Sequence, residues 1–191
     1  MDRRIESKKN KFLKLTPENE LYNQYWFSED TIKFFIDQVE KYGGERIGFV
    51  ATPSIFFSIS KEMQNKSYMF DIDEKLTKKH PNGRKYDFND ADYETKFPEL
   101  KHSFDYLVID PPFITEEAWS KFANFALYLK KDNCKIIACS IAENKERLKK
   151  LLELDSKTVH PRRPHLVYQY NIYAHYEDDE LNQLNTEIKT D

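Results

Sequence analysis

The tightest constraint on the fold is the run Phe104-Asp105-Tyr106-Leu107-Val108-Ile109, followed at once by Asp110-Pro111-Pro112-Phe113. A near-continuous apolar segment of this length reads as a strand buried on both faces, which belongs in a parallel sheet covered by helices. Two consecutive prolines end it, because each ring fixes φ and removes an N–H donor. What remains at the strand end is a carboxylate beside backbone carbonyls: acceptors without donors. In an open α/β sheet, ligands bind beyond the carboxyl ends of the strands, so a site is expected here. Such acceptors suit an amine nucleophile, because they hold its N–H groups and leave its lone pair free. Phe113 can pack flat against a substrate there.

The rest of the chain alternates helical and strand patterns around this run. Ser28 can cap a helix over 29–42, where Ile32, Phe35, Ile36 and Val39 repeat at i, i+3, i+4 and i+7. Gly43-Gly44 ends it. A strand is expected at 46–51, a helix from Pro53 to about residue 64, a strand at 68–73 and a short third strand at 86–89. After the Pro-Pro turn come a helix over 116–130, a strand at 134–141 and a charged helix over 143–154. The aromatic alternation at 167–174 predicts antiparallel pairing with no intervening helix. Alternating strands and helices imply a mostly parallel sheet with helices on both faces. Three regions follow: a flexible basic tail over 1–20, one domain over 21–176, and an acidic tail over 177–191.

Composition narrows the function classes. The chain has only four glycines, so any nucleotide site must work without a Gly-rich phosphate cradle. The formal net charge of -3 disfavours a dedicated duplex-binding domain, which would show a basic excess. Cys134 and Cys139 lie in an apolar stretch and read as core residues of a reduced, cytoplasmic protein. No stretch is long and apolar enough for a signal peptide or a membrane span, and a monomer is expected.

Other strand ends offer polar groups as well. Ala51-Thr52-Pro53 ends the first strand. Asp73 ends the second, with Asp71 and Glu74 as rivals for the acid that meets a ribose in Rossmann-like folds. Asn89 and Asp90 can frame a base or simply form a turn. Gln24-Tyr25-Trp26-Phe27-Ser28 places three aromatics ahead of a helix cap, to line a pocket or to staple the helix start. His160-Pro161-Arg162-Arg163-Pro164-His165 is a weak metal signal, and a solvated loop is the expectation over a substrate-facing basic one.

The ordered set QYWFS, ATPS, FDID, YDFN, FDYLVIDPPF with ITEEAWSKF directly after it, PRRPH and YQYNIY resembles the elongation factor 1-alpha lysine methyltransferases of the N6-adenine-methyltransferase-like group, over residues 23–176. DPPF alone is shared with nucleic-acid methyltransferases; the QYWFS run and the ITEEAW helix make the combination specific. The resemblance implies a class I methyltransferase fold, a Rossmann-like seven-stranded sheet with a C-terminal antiparallel strand. It implies S-adenosyl-L-methionine as methyl donor and a lysine of translation elongation factor 1-alpha as acceptor, without metal. It puts Asp110, Pro111, Pro112 and Phe113 at the acceptor amine. It puts Trp26, Phe27, Ser28, Thr31, Ala51, Thr52, Pro53, Asp73, Asn89 and Asp110 at the cofactor. The GxGxG usual after the first strand of methyltransferases is absent, and Ala51-Thr52-Pro53-Ser54 stands in its place. The rival substrate is the exocyclic amine of adenine in RNA or DNA, flipped out and stacked on Phe113.

Overall fold

A computed structural model describes residues 10–184. In chain order its elements are α1 (Lys11–Leu15), α2 (Glu29–Tyr42), β1 (Ile47–Val50), α3 (Pro53–Phe56), α4 (Lys61–Asn65), β2 (Ser67–Asp71), α5 (Glu74–Thr77), β3 (Gly83–Lys85), α6 (Tyr93–Lys96), β4 (Phe104–Ile109), α7 (Glu116–Leu129), β5 (Lys130–Ile141), α8 (Lys145–Leu152), β6 (Asp155–Ser156) and β7 (Tyr170–Ala174). They form one seven-stranded sheet in the order β3-β2-β1-β4-β5-β7-β6. Strands β1 to β5 pair in parallel. β7 runs antiparallel between β5 and β6, as the aromatic alternation near the end of the chain predicts.

Side-chain alternation along β4 divides the core between the two faces of the sheet. Tyr106 and Val108 join Phe35 and Val39 of α2 on one face, together with Phe49 and Ile172. Leu107 and Ile109 join Trp119, Phe122 and Phe125 of α7 and Leu148 of α8 on the other, and a register irregularity between Phe104 and Tyr106 turns Phe104 to that side as well. Both faces are therefore covered, which explains why β4 carries almost no polar residue. Ser28 caps α2 and Thr115 caps α7, each side chain accepting from an N–H three residues on. Trp119 Nε1–H donates to Ser140 Oγ over 2.9 Å, tying α7 to β5.

Three expectations are corrected. The helix from Pro53 is two helices, because Ser60 caps a new one and its Oγ accepts from Met63 N–H at 3.2 Å. The third strand lies at Gly83–Lys85, ahead of the run read as strand. Tyr86 then stacks on Phe125, with ring centroids 4.0 Å apart, and an Asp87 carboxylate accepting from Asn89 N–H at 2.9 Å turns the chain. The charged helix starts as a 3-10 turn at Ala142–Asn144 and ends at Leu152.

Both ends of the chain are folded further out than the tail division expects. Phe12 in α1 is buried, edge-on to Trp26 at 5.0 Å and stacked on Phe57 at 5.6 Å. Asp178 and Leu181 are buried, and the Leu181 carbonyl accepts from Thr158 N–H at 3.1 Å. Apolar contact, which charge counting does not register, anchors both segments. The remainder of each tail, residues 1–9 and 185–191, lies outside the described residues. Phe12→Ala is expected to lower unfolding stability by about 3 kcal/mol, read as a shift of the urea midpoint with little change in slope.

Candidate active site

A cavity of ≈ 210 Å³ opens at the carboxyl ends of β1, β2 and β4. Its walls include Ala51, Thr52 and Pro53 after β1, Asp71 at the end of β2, Phe88 and Asn89 beyond β3, and Asp110, Pro112 and Phe113 after β4. Leu21, Tyr22 and Trp26 close it from the segment ahead of α2, and Arg163 enters from the loop before β7.

Asp110 is the centre of this arrangement. Its N–H donates to the Val50 carbonyl at 3.1 Å, so the residue is held by the sheet although it lies past the end of β4. The side chain is buried; Oδ2 accepts from Arg163 Nη2, while Oδ1 has no partner among the described residues. Burial pushes the carboxyl up to about 6, against the downward pull of the Arg163 guanidinium. One oxygen is thus paired with Arg163 and the other is buried without a partner among the described residues. Arg163 is itself buried between two rings, its guanidinium carbon 4.6 Å from the Phe27 centroid and 4.5 Å from that of Tyr170.

The rest of the Pro-Pro run divides its tasks. Pro112 and Phe113 line the cavity and Pro111 holds the turn outside the lining. The Pro112 carbonyl accepts from the Asn23 side-chain amide, and Asn23 takes a left-handed φ of 50° to present it. Phe113 is 44% exposed at the rim, so a substrate can reach its ring. Asn144 Nδ2 donates to the Ile114 carbonyl at 2.9 Å and to Ser140 Oγ at 2.9 Å, which pins the following residue to the end of β5.

At the end of β1, Ala51 adopts φ 55°, a conformation that usually selects glycine. The loop thus turns sharply without a GxGxG, and Ala51 carries the Cβ strain that a glycine would avoid. Thr52 Oγ1 is buried there with no partner among the described residues. Buried hydroxyls of this kind are rarely left unpaired, so a bound molecule is the natural partner.

The expectation for the second strand shifts by two residues. Asp73 caps α5, accepting from Lys75 N–H at 2.9 Å, and stands outside the cavity lining. Asp71 lines it instead and accepts from Asp73 N–H at 2.8 Å. Burial pushes the Asp71 carboxyl up to about 7. The strand ends earlier than its hydrophobic pattern suggested, and the acid facing the cavity is the earlier of the two.

The aromatic run ahead of α2 also divides. Trp26 lines the cavity, fixed by Nε1–H to the Thr16 carbonyl at 2.9 Å and by its backbone N–H to Glu18 at 2.8 Å. Phe27, Ser28 and Thr31, expected at the cofactor, instead hold the Arg163 loop. Phe27 lies against the guanidinium, Ser28 N–H donates to the Arg162 carbonyl at 2.9 Å, and Thr31 Oγ1 accepts from Arg162 N–H at 2.9 Å. Asn89 lines the cavity with its Oδ1 accepting from Lys121 Nζ at 2.9 Å, whereas Asp90 pairs with Lys96 outside the lining. Sequence reasoning misses Asn23, and it reaches Arg163 only as part of the PRRP run, where a solvated loop is the expectation over a substrate-facing one. Arg162, Pro164 and His165 are exposed as that expectation has it, whereas Arg163 is buried and turns into the cavity wall.

Because burial raises Asp71 above an ordinary carboxyl, the fold favours its neutral form. That contribution is complete below the ordinary value of about 4 and is lost as pH rises through about 7. Asp71→Asn is therefore expected to lose part of the decline in melting temperature between about pH 4 and pH 7, measured on the free protein.

Comparison with known proteins accords with this geometry. The family described as "Probable N6-adenine methyltransferase" matches residues 18–178. The EEF1A lysine methyltransferase 1 of Danio rerio is 28% identical over 166 residues, covering 81% of this chain and 96% of that protein. The Homo sapiens protein of the same name is 28% identical over 84% of this chain and 76% of its own length. Among solved structures, an O-methyltransferase from Bacillus cereus in complex with SAH superimposes with a TM-score of 0.55 at 14% identity, covering 85% of this chain and 93% of that one. A SAM-dependent methyltransferase from Archaeoglobus fulgidus gives a TM-score of 0.50 at 13% identity, over 75% and 92% of the two chains. With its seven-stranded sheet, its antiparallel seventh strand and a family match from the segment ahead of α2 to the end of the sheet, the chain belongs to the N6-adenine-methyltransferase-like family of class I methyltransferases.

Proposed function

We propose that this protein is a cytoplasmic, monomeric S-adenosyl-L-methionine-dependent N-methyltransferase that modifies a lysine of translation elongation factor 1-alpha. The observation that carries this reading is the unpaired Oδ1 of Asp110, a buried acceptor with no partner among the described residues, on a residue in the wall of a cavity at the sheet's carboxyl edge. The relatives named for lysine methylation of EEF1A support the choice of substrate. The net charge of -3 supports protein over nucleic acid.

The residues present fit the cofactor. Thr52 Oγ1 and Asp71 offer hydrogen-bonding groups to its hydroxyl and amine functions, and Phe88, Tyr86 and Phe122 offer faces to a base. When bound, S-adenosyl-L-methionine supplies an electrophilic methyl on a sulfonium. The protein's own part is to prepare the amine. A lysine has an ordinary pKa of about 10.4 and arrives protonated. The apolar wall of Phe113, Tyr22 and Leu21 favours the neutral form, so the proton leaves to water before the amine is seated. Asp110 Oδ1 then accepts an amine N–H and turns the lone pair toward the methyl. Positioning of this kind is the main catalytic resource for a displacement that needs no covalent enzyme intermediate.

The direct test offers methyl-labelled S-adenosyl-L-methionine and the full chain to purified elongation factor 1-alpha, to RNA and to DNA. Label is expected in the protein alone, and Asp110→Asn is expected to slow its transfer by about 100-fold or more. Label confined to nucleic acid would overturn lysine as the acceptor in favour of the adenine amine.

A further inference from the structure

We propose that Arg163 is a positioning residue for the acceptor amine: clamped between Phe27 and Tyr170, it binds one oxygen of Asp110, leaves the other to the amine, and offsets the carboxylate charge that would otherwise hold a lysine as ammonium. The proposal rests on the lysine-methyltransferase reading of the same site and adds a residue to it.

Three observations carry it. First, the pair is closed to solvent, with 5% of the Arg163 side chain and 9% of the Asp110 side chain exposed. A buried ion pair contributes little net stability, because desolvation offsets most of its attraction. Fold stability alone is therefore a poor account of a charge carried into the wall of a cavity. Second, the guanidinium lies over the rings of both Phe27 and Tyr170, and its loop is fastened to α2 by the two Arg162 backbone bonds. Pro161 and Pro164 bracket the delivery. The two rings and the fastened loop restrict the orientation of the arginine. Third, the pair is incomplete: Asp110 Oδ1 and Arg163 Nε are both buried without a partner among the described residues. A purely structural arginine–carboxylate pair would more naturally close as a fork with two parallel bonds. Here only Oδ2 is taken, and the oxygen left over belongs to the residue that faces the amine.

The chemical consequence follows from Coulomb's law at short range. A lone carboxylate in an apolar cavity would stabilise an incoming ammonium and delay its deprotonation. With the guanidinium beside it, the pair is neutral overall, and the pocket keeps an acceptor oxygen without the field that would trap the proton. Cys139 Sγ, 4.0 Å from Arg163 Nη2, is pushed well above its ordinary value by burial, so it brings no second negative charge. Tyr170, on the other face of the guanidinium, is raised as well by burial and stays neutral.

The test compares the full-length wild type with Arg163→Met, Arg163→Gln and Arg163→Lys. In the free protein, the Asp110 carboxyl is titrated by carbon-13 NMR. Loss of the guanidinium in the Met and Gln variants is expected to move its midpoint up by about one pH unit or more, and Lys to return it toward wild type. Gln keeps a donor beside Asp110 and serves where Met does not fold. In the methyl-transfer assay, kcat is expected to fall about tenfold or more in the Met and Gln variants while KM for the protein substrate changes little. The acid limb of the pH–rate profile is expected to move with the NMR midpoint. An unchanged Asp110 midpoint in both neutral variants would overturn the proposal, as would a pH–rate profile that keeps its wild-type shape. The titration needs no substrate, so a failure of the lysine reading leaves it intact and is separately visible as absence of transfer by the wild type.

Discussion

The site is organised around a buried carboxylate that only half satisfies itself. Asp110 lies one residue past a strand buried on both faces, so its position is set by the ladder between β1 and β4. One oxygen is held by Arg163 and the other is open. Several features that look unrelated in the sequence exist to keep that state. The Pro-Pro pair stops the strand without adding donors that would satisfy Asp110. Phe27 and Tyr170 hold the guanidinium flat. The α2 cap region fastens the loop that carries it. Removing either charge would leave the other buried and unpaired, a cost of about 3–5 kcal/mol.

The topology explains how segments so far apart in sequence meet at one point. A parallel sheet brings the carboxyl ends of β1, β2 and β4 to one edge, which supplies Thr52, Asp71 and Asp110. The return of the chain as antiparallel β7 then brings residue 163 to the same edge from the other side of β5. The family's late β hairpin thus does more than complete the sheet. It places the loop before β7 within reach of the end of β4, which a plain doubly wound connection would not do.

Much of this was legible in the sequence because it rests on periodicity and strand-end chemistry. The buried run 104–109, the cap at Ser28, the antiparallel ending and Asp110 itself follow from local pattern. What was not legible depends on contacts between distant segments. Arg163 sits in a loop with the composition of a solvated one, and only the rings of Phe27 and Tyr170 make its burial possible. Asp71 and Asp73 differ by the two residues within which strand ends cannot be fixed from pattern alone. Phe12 lies in a strongly charged stretch whose composition hides one anchoring ring.

The cavity beyond β1, β2 and β4 has Asp71 and Asp110 in its wall, and we propose it as the methyl-donor site. Isothermal titration of S-adenosyl-L-methionine into the full chain tests it most directly. One molecule is expected to bind per chain, with affinity reduced about tenfold or more by Asp71→Asn. Absence of binding heat at any accessible temperature, or binding that Asp71→Asn leaves unchanged, would contradict the assignment of this cavity.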